Sequence, residues 1–376
     1  MNTGFLGQFK QIYDKMEEQL KWKLSTGRYV EDIIYKHGLK LEKESCLHSF
    51  ILDTDDDQVH ALFDDEEFEE VISKHCKEDP DLPRNVYELL QEFNQNNSNA
   101  IHAILKDSTR KYEDYNTRSI FYAVDSLTML FDATPNPLMS SQLEQWYQAN
   151  IWTPLMDKMY GDVPGVACVL GESLSIASKE RKRLERKRQI SKLGSRSDMV
   201  LRRIGNGIAL EYGAAEDGAT YDGAFGRKRM YEAELKLPKT LKDMMMMMCN
   251  DCDWDGSMMT KIEVVGYCHS GTVAEFLIMD NPSGYVCRLS RSRLYQVPHS
   301  YEEFPKLLHL LAASMRMKLR VKRCIDTMNK PSLDLEATKM FTSKRKKSSC
   351  LADTLTTPPR PVKLPTRRKR NPYLSD

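Results

Sequence analysis

No stretch of this 376-residue chain approaches the roughly 18–20 consecutive apolar residues needed to span a bilayer. The opening MNTGFLGQFKQIYDKMEEQL turns acidic quickly and lacks the charged-then-apolar order of a secretory leader. Membrane and secreted classes are therefore not expected. No G-x-x-x-x-G-K-[ST] loop is present, and Gly205-Asn-Gly207 and Gly223-Ala-Phe-Gly226 stand in no nucleotide-binding context. The eight histidines pair with no Ser or Cys nucleophile, so triad hydrolysis has no support. Nor is there an excess of charge of either sign: Lys plus Arg is 55 and Asp plus Glu is 54, a net +1. Only the distribution of charge can speak about partners. Nine unevenly spaced cysteines form no framework and fit free thiols in a reducing compartment. Cys249 and Cys252 make the best metal-like pair, but two loop thiols is the plainer reading.

What is there suffices for a packed core over part of the length, at 41% hydrophobic and 29% charged residues. Residues 1–132 read as mainly helical. Phe5, Phe9, Ile12, Tyr13, Met16 and Leu20 recur at helical spacing, and after Pro83 so do Val86, Leu89, Leu90 and Phe93. Between them, Asp53 to Glu70 holds ten carboxylates and no Lys or Arg. That run is a solvated face, or an internal mimic of nucleic acid covering a basic groove. A break at Ala133-Thr-Pro-Asn-Pro137 precedes a helix with Ser140 or Ser141 as cap and Leu143, Trp146, Tyr147 and Ile151 facing inward, bent or ended by Pro154. The pattern then changes period. Strands are expected at Asp198–Ile204 and Ile208–Glu216, joined by a Gly205-Asn-Gly207 turn. A helix follows over about Met230–Met248, with Pro238 near a kink and the Met244–Met248 run packed inward. Further strands are expected at Lys261–Cys268, Val273–Met279 and Tyr285–Leu289, then a helix over about Glu302–Met328. This predicts a mixed α/β module over 138–330 rather than a doubly wound parallel sheet. Residues 331–376 lack apolar periodicity and read as a disordered basic tail. Its Lys344-Arg-Lys-Lys347 and Arg367-Arg-Lys-Arg370 clusters suit nuclear import or a non-specific nucleic-acid arm, which favours the nucleus over the cytoplasm.

The predicted hairpin is the most informative segment. A turn centred on Asn206 sets Asp198 opposite Ala214, and Glu216 then lies on the same face as Asp198, diagonal to it at the open end. Two carboxylates there repel unless a cation joins them; Mg²⁺ accepts such oxygen ligands. Glu211, five residues before Glu216, points to the other face unless a bulge intervenes. Two carboxylates standing separately in solvent is the plainer alternative. Nearby, Lys179-Glu-Arg-Lys-Arg-Leu-Glu-Arg-Lys-Arg188 is strongly basic. It forms either a solvated helix face or a phosphate groove built from Lys179, Arg181, Lys182, Arg183, Arg186, Lys187 and Arg188, with salt-dependent, sequence-independent affinity.

The arrangement Asp198…Glu216-x-Gly218, after a helix carrying Glu144, resembles the PD-(D/E)XK nuclease superfamily, whose core is restriction-endonuclease-like. The words Gly171-Glu-Ser-Leu-Ser-Ile-Ala-Ser-Lys179, Arg196-Ser-Asp-Met-Val-Leu-Arg202, Leu210-Glu-Tyr-Gly-Ala-Ala-Glu216 and Leu235-Lys-Leu-Pro-Lys-Thr-Leu-Lys-Asp243 resemble nuclease-like proteins of mucor-type fungi. The resemblance covers about 138–330. It implies Mg²⁺ held by Asp198 and Glu216, Glu144 contributed by the first helix, and cleavage of DNA phosphodiester bonds. Gly218 stands where the superfamily has its catalytic lysine. A lysine moved to the following helix would replace it: Lys236 first, as the earliest, then Lys239 or Lys242. Each of these is otherwise a solvated helix residue. Glu211 is a spare ligand should the strand be bulged. The alternative is a catalytically dead relative serving as a nucleic-acid- or protein-binding scaffold.

Overall fold

The computed structural model describes residues 3–106, 114–185, 195–205, 209–223, 231–329 and 350–357. The expected turn at 205–207, the basic residues Arg186, Lys187 and Arg188, and both tail clusters lie wholly or partly outside the described residues. Among those described, no helix is long and apolar enough to cross a membrane.

The fold is mixed α/β, as the change of hydrophobic period predicts. Eight strands form one sheet: β1 (Ile51–Asp53), β2 (Val166–Leu174), β3 (Arg196–Arg203), β4 (Glu211–Gly218), β5 (Glu263–Ser270), β6 (Val273–Ser283), β7 (Val286–Arg291) and β8 (Tyr295–Gln296). Their order is β1-β7-β6-β5-β4-β3-β2, with β8 added on β6. Strands β2, β3 and β4 form an antiparallel meander. The helix Leu237–Asp251 then carries the chain across the sheet, so that β5 lies parallel to β4. Strands β5, β6 and β7 continue antiparallel. A crossover helix is what a parallel neighbour demands, because a short turn cannot reverse the chain twice.

Helices cover both faces, so the strands in the middle of the sheet are buried on both sides; β4 and β5 are buried at every position. Gly266 of β5 faces Leu237 and Leu241 of the crossover helix. The alternating residues Glu263, Tyr267 and His269 point the other way, to Arg320 of the helix Pro305–Asn329, to Tyr160 and to Trp152. The Met run divides accordingly. Met244, Met245 and Met248 are buried in the core, whereas Met246 and Met247 are only partly buried.

β1 joins the N-terminal region to the sheet, since it pairs in parallel with β7, and Ile51 belongs to the main core. Two expectations are corrected. Leu143 does not face inward; it is 79% exposed and precedes the first turn of a helical stretch of which Tyr147, Ile151, Trp152 and Leu155 form the buried side. The tail is not uniformly free of structure: Leu351, Ala352, Thr354 and Leu355 are buried. The Ala352 N–H donates to the Tyr285 carbonyl at 3.2 Å and the Leu355 N–H to Ser49 Oγ at 3.1 Å. The strand β2 had no alternating signal strong enough to predict; a register shift between Leu170 and Ser173 interrupts it.

Among the described residues, several carboxylates of the acidic run are engaged locally rather than by the basic helix. Asp56 and Asp64 cap short helices, Glu67 pairs with Arg28 at 2.5 Å, and Asp53 pairs with Arg291 at 2.8 Å. These carboxylates satisfy local donors within the N-terminal elements and the β7 edge.

Candidate functional site

The site is built where β3 begins and β4 ends. The register runs Met199 opposite Ala215, Val200 opposite Ala214 and Leu201 opposite Gly213. One residue further along, Asp198 comes opposite Glu216. The expected register is therefore shifted by two residues, and an irregularity between Leu201 and Arg202, opposite Gly213 and Glu211, supplies one of them. An even shift keeps both carboxylates on one face, which is why the expected pairing survives. β4 pairs with β5 so that Glu216 lies beside Cys268, on the Gly266 face that the crossover helix covers.

That helix is preceded without interruption by a π-helical turn, Glu232–Lys236. The wider turn delivers Lys236 over the sheet end, where its Nζ donates to Glu216 Oε2. Pro238, at the junction with Leu237–Asp251, has no N–H to donate back to that turn. Two contacts fix the π-helical turn from outside the helix: Arg291 Nη2 donates to the Ala233 carbonyl at 3.0 Å, and Cys46 Sγ donates to the Glu234 carbonyl at 2.6 Å.

Glu216 is 1% exposed. Burial pushes its carboxyl up to about 8, against the pull of the Lys236 ammonium; the neighbouring Asp198 charge adds to the rise. Asp198 is also raised, first by burial, and the charges of Asp217 and Glu144 contribute. Its Oδ2 accepts a 2.7 Å hydrogen bond from the Asp217 N–H, which works the other way. Burial opposes the Lys236 charge, but Glu216 and Asp198 together hold its ammonium above the ordinary lysine value. Three of the four proposed catalytic side chains thus meet, and the fourth, Glu144, stands within electrostatic reach of Asp198.

Other candidates are placed elsewhere. Glu211 is fully buried and accepts from Ser175 Oγ at 2.7 Å and from the N–H groups of Ile176 and Ala177 at 2.9 and 3.1 Å. It caps the helix Ile176–Glu185 and pairs with Arg202 at 2.8 Å, so it is no spare ligand. Lys239 pairs with Glu44 at 2.6 Å, and Lys242, with no exposure, donates to the Ser49 carbonyl. Neither reaches the carboxylate pair. Arg181 is not a free phosphate ligand: it pairs with Asp243 at 2.8 Å and donates to the Thr354 carbonyl at 3.2 Å and Thr356 Oγ1 at 2.9 Å. Arg183 pairs with Glu180 at 2.6 Å. Lys179 is exposed and Lys182 partly so. Among the described residues of the basic run, Arg181 and Arg183 are thus held in ion pairs.

The sequence reading missed a second cluster behind β4. Asp217 Oδ1 and His269 Nδ1 are 2.7 Å apart, and the His269 ring stacks on Trp152 at 4.2 Å. Burial pushes the neighbouring Asp157 carboxyl up to about 6. These residues lie far apart in sequence, and only the parallel β4–β5 register joins them, so no local spacing could reveal the cluster.

Among the described residues, no group of three or more His, Cys, Asp and Glu side chains is placed to hold a metal ion, and Cys249 and Cys252 are free thiols. Mg²⁺ makes a smaller demand, since one or two carboxylates suffice when water and substrate phosphate complete its shell. Glu216 Oε1 is buried and makes no hydrogen bond of normal geometry, although the Ser197 hydroxyl acts on the same carboxyl. That oxygen, on the same face as Asp198, fits an all-oxygen divalent site. No family model, no curated protein and no solved structure matches this chain.

Proposed function

We propose that the chain is a PD-(D/E)XK-like, Mg²⁺-dependent nuclease acting on DNA phosphodiester bonds. One observation carries the reading: a lysine from the helix after β4 reaches the carboxylate that opposes Asp198. Lys236 so takes the part that Gly218 lacks. The order of a three-stranded meander, crossover helix and parallel strand also agrees with a restriction-endonuclease-like core.

Asp198 and Glu216 would hold the ion, which when bound supplies an activated water and offsets charge growing on phosphate. Lys236, already desolvated and charged, orients the attacking oxygen and stabilises the same developing charge. Glu144 adds negative field that favours a cation near Asp198. Lys179 and Lys182 offer non-specific phosphate contacts. The basic clusters at 344–347 and 367–370 suit a nuclear protein that binds nucleic acid.

Gly218 supports a second reading, a catalytically inactive scaffold in which Lys236 serves only as the counter-ion of Glu216. Nicking of supercoiled plasmid with and without Mg²⁺ separates the two. Metal-dependent nicking lost in Asp198→Asn and Lys236→Met supports the nuclease. DNA binding that persists without any nicking in the wild type supports the scaffold.

A further inference from the structure

A cleft of about 530 Å³ opens between the helices Ile176–Glu185 and Leu237–Asp251, with Lys15, Trp254 and Asp353 at its edges. Lys236 and Met246 are ten residues apart on one nearly continuous helix, about 15 Å at 1.5 Å per residue, so the cleft is separate from the carboxylate site.

Its walls have two characters. Ala177, Met246, Met247 and Trp254 supply an apolar surface. Methionine side chains adapt to varied ligand shapes, and an indole face attracts cations. The remaining lining is charged apart from Asn250. Arg181 and Asp243 neutralise each other at 2.8 Å, and Glu180 is taken by Arg183. Among the lining residues this leaves Asp251 and Asp353 against Lys15, a net negative rim, with the buried Lys242 ammonium behind it also within reach of Asp353.

Two further features show that the cleft is constructed. Asp253 and Trp254 both adopt left-handed backbone, at φ of 53° and 58°. Such a conformation is unfavourable for a bulky residue, and strain of this kind gathers at functional sites. Here it follows the end of Leu237–Asp251, where the Trp254 N–H donates to the Cys249 carbonyl at 2.9 Å and turns the indole towards the cleft. The second feature is the docked segment 350–357. Arg181 binds the Thr354 carbonyl and Thr356 Oγ1, and Thr354 Oγ1 lies 3.9 Å from Met246 Sδ. This seats Asp353 on the rim.

We propose that this cleft is a binding site for a small organic cation with an apolar body, such as a quaternary or aryl-substituted ammonium. The apolar part would lie on Met246, Met247 and Trp254, and the cationic centre between the indole face and the carboxylates of Asp251 and Asp353. The docked segment 350–357 is then a wall of the site.

The test titrates the full chain with benzyltrimethylammonium, with its neutral isostere neopentylbenzene, and with anionic phenylacetate, following heat and the Trp254 indole N–H resonance. The expected result is saturable binding of the cation alone, weakened about five-fold or more in Asp353→Asn, in Asp251→Asn and in Trp254→Leu. Unchanged circular dichroism shows that each variant is folded, and the two carboxylate variants stand in for Trp254→Leu should it unfold. Absence of cation binding, equal binding of the neutral isostere, or unchanged affinity in both carboxylate variants overturns the proposal.

Discussion

Lys236 Nζ donates to Glu216 Oε2 from a π-helical turn, across a gap that a regular helix would not have closed in the same way. Glu216 is so buried that its carboxyl is pushed up to about 8, and its second oxygen makes no hydrogen bond of normal geometry. The lysine is its paired cation, and a divalent ion held by Asp198 and Glu216 would bind beside it.

The first consequence concerns pH and stability. The folded state holds the Glu216 proton more tightly than the unfolded chain, whose value is the ordinary 4.5. Between those limits the native state binds more protons. Stability is therefore full below about 4.5 and falls as pH rises towards about 8, at up to about 1.4 kcal/mol per pH unit for one proton. Urea unfolding of the wild type at pH 5, 6.5 and 8 should show this slope, and Glu216→Gln should flatten it. Equal slopes in both proteins would mean that Glu216 does not carry that proton.

Much of this arrangement was legible in the sequence, and the limits have physical causes. Asp198 and Glu216 could be paired because a two-residue periodicity survives an even register error. Lys236 could be ranked first by its position on the helix, although nothing local announces a π-helical turn. The fates of Arg181 and Glu211 were hidden: Arg181 meets Asp243 and Thr354, and Glu211 meets Ser175, each through contacts 36 or more residues apart. The docking of 350–357 was hidden too, since three short apolar residues in a basic tail make no pattern until Ser49 and Tyr285 receive them.

Arg291 should matter although it touches no reacting group. It pairs with Asp53 at 2.8 Å and Glu275 at 3.1 Å and holds the Ala233 carbonyl. Arg291→Met removes the cation shared by the largely buried Asp53 and Glu275, with an expected cost of about 3–5 kcal/mol in chemical denaturation. In protein that remains folded, metal-dependent nicking should fall while DNA affinity holds, because Lys236 loses its support. A loss below about 1 kcal/mol would contradict this role.

The sheet has a steric requirement at Gly213. A Cβ there would meet the Val265 carbonyl at 2.5 Å and Val265 Cγ2 at 2.7 Å. Gly213→Ala should destabilise by about 1–3 kcal/mol, as overpacking does, whereas alanine at the open, helical Gly7 should stabilise by up to about 1 kcal/mol. Thermal midpoints of the two variants make the comparison.

The docked segment should contribute to the fold. Leu355 is buried, and its N–H is bound by Ser49. Leu355→Ala should cost about 2–3 kcal/mol, and ending the chain at Ser349 should cost more. Ending it at Thr357 should leave stability nearly unchanged. Urea midpoints that rank these three variants otherwise would show that the contact with Ser49 and Tyr285 is energetically idle.

The shared-cation claim is tested most directly by Mn²⁺ binding, followed by electron paramagnetic resonance at pH 8.5, where most of Glu216 is ionised. The wild type should bind one ion at a site that Mg²⁺ displaces, and the Asp198→Asn/Glu216→Gln double variant should bind none there. A wild type without a displaceable ion, or a double variant that retains it, would contradict the account.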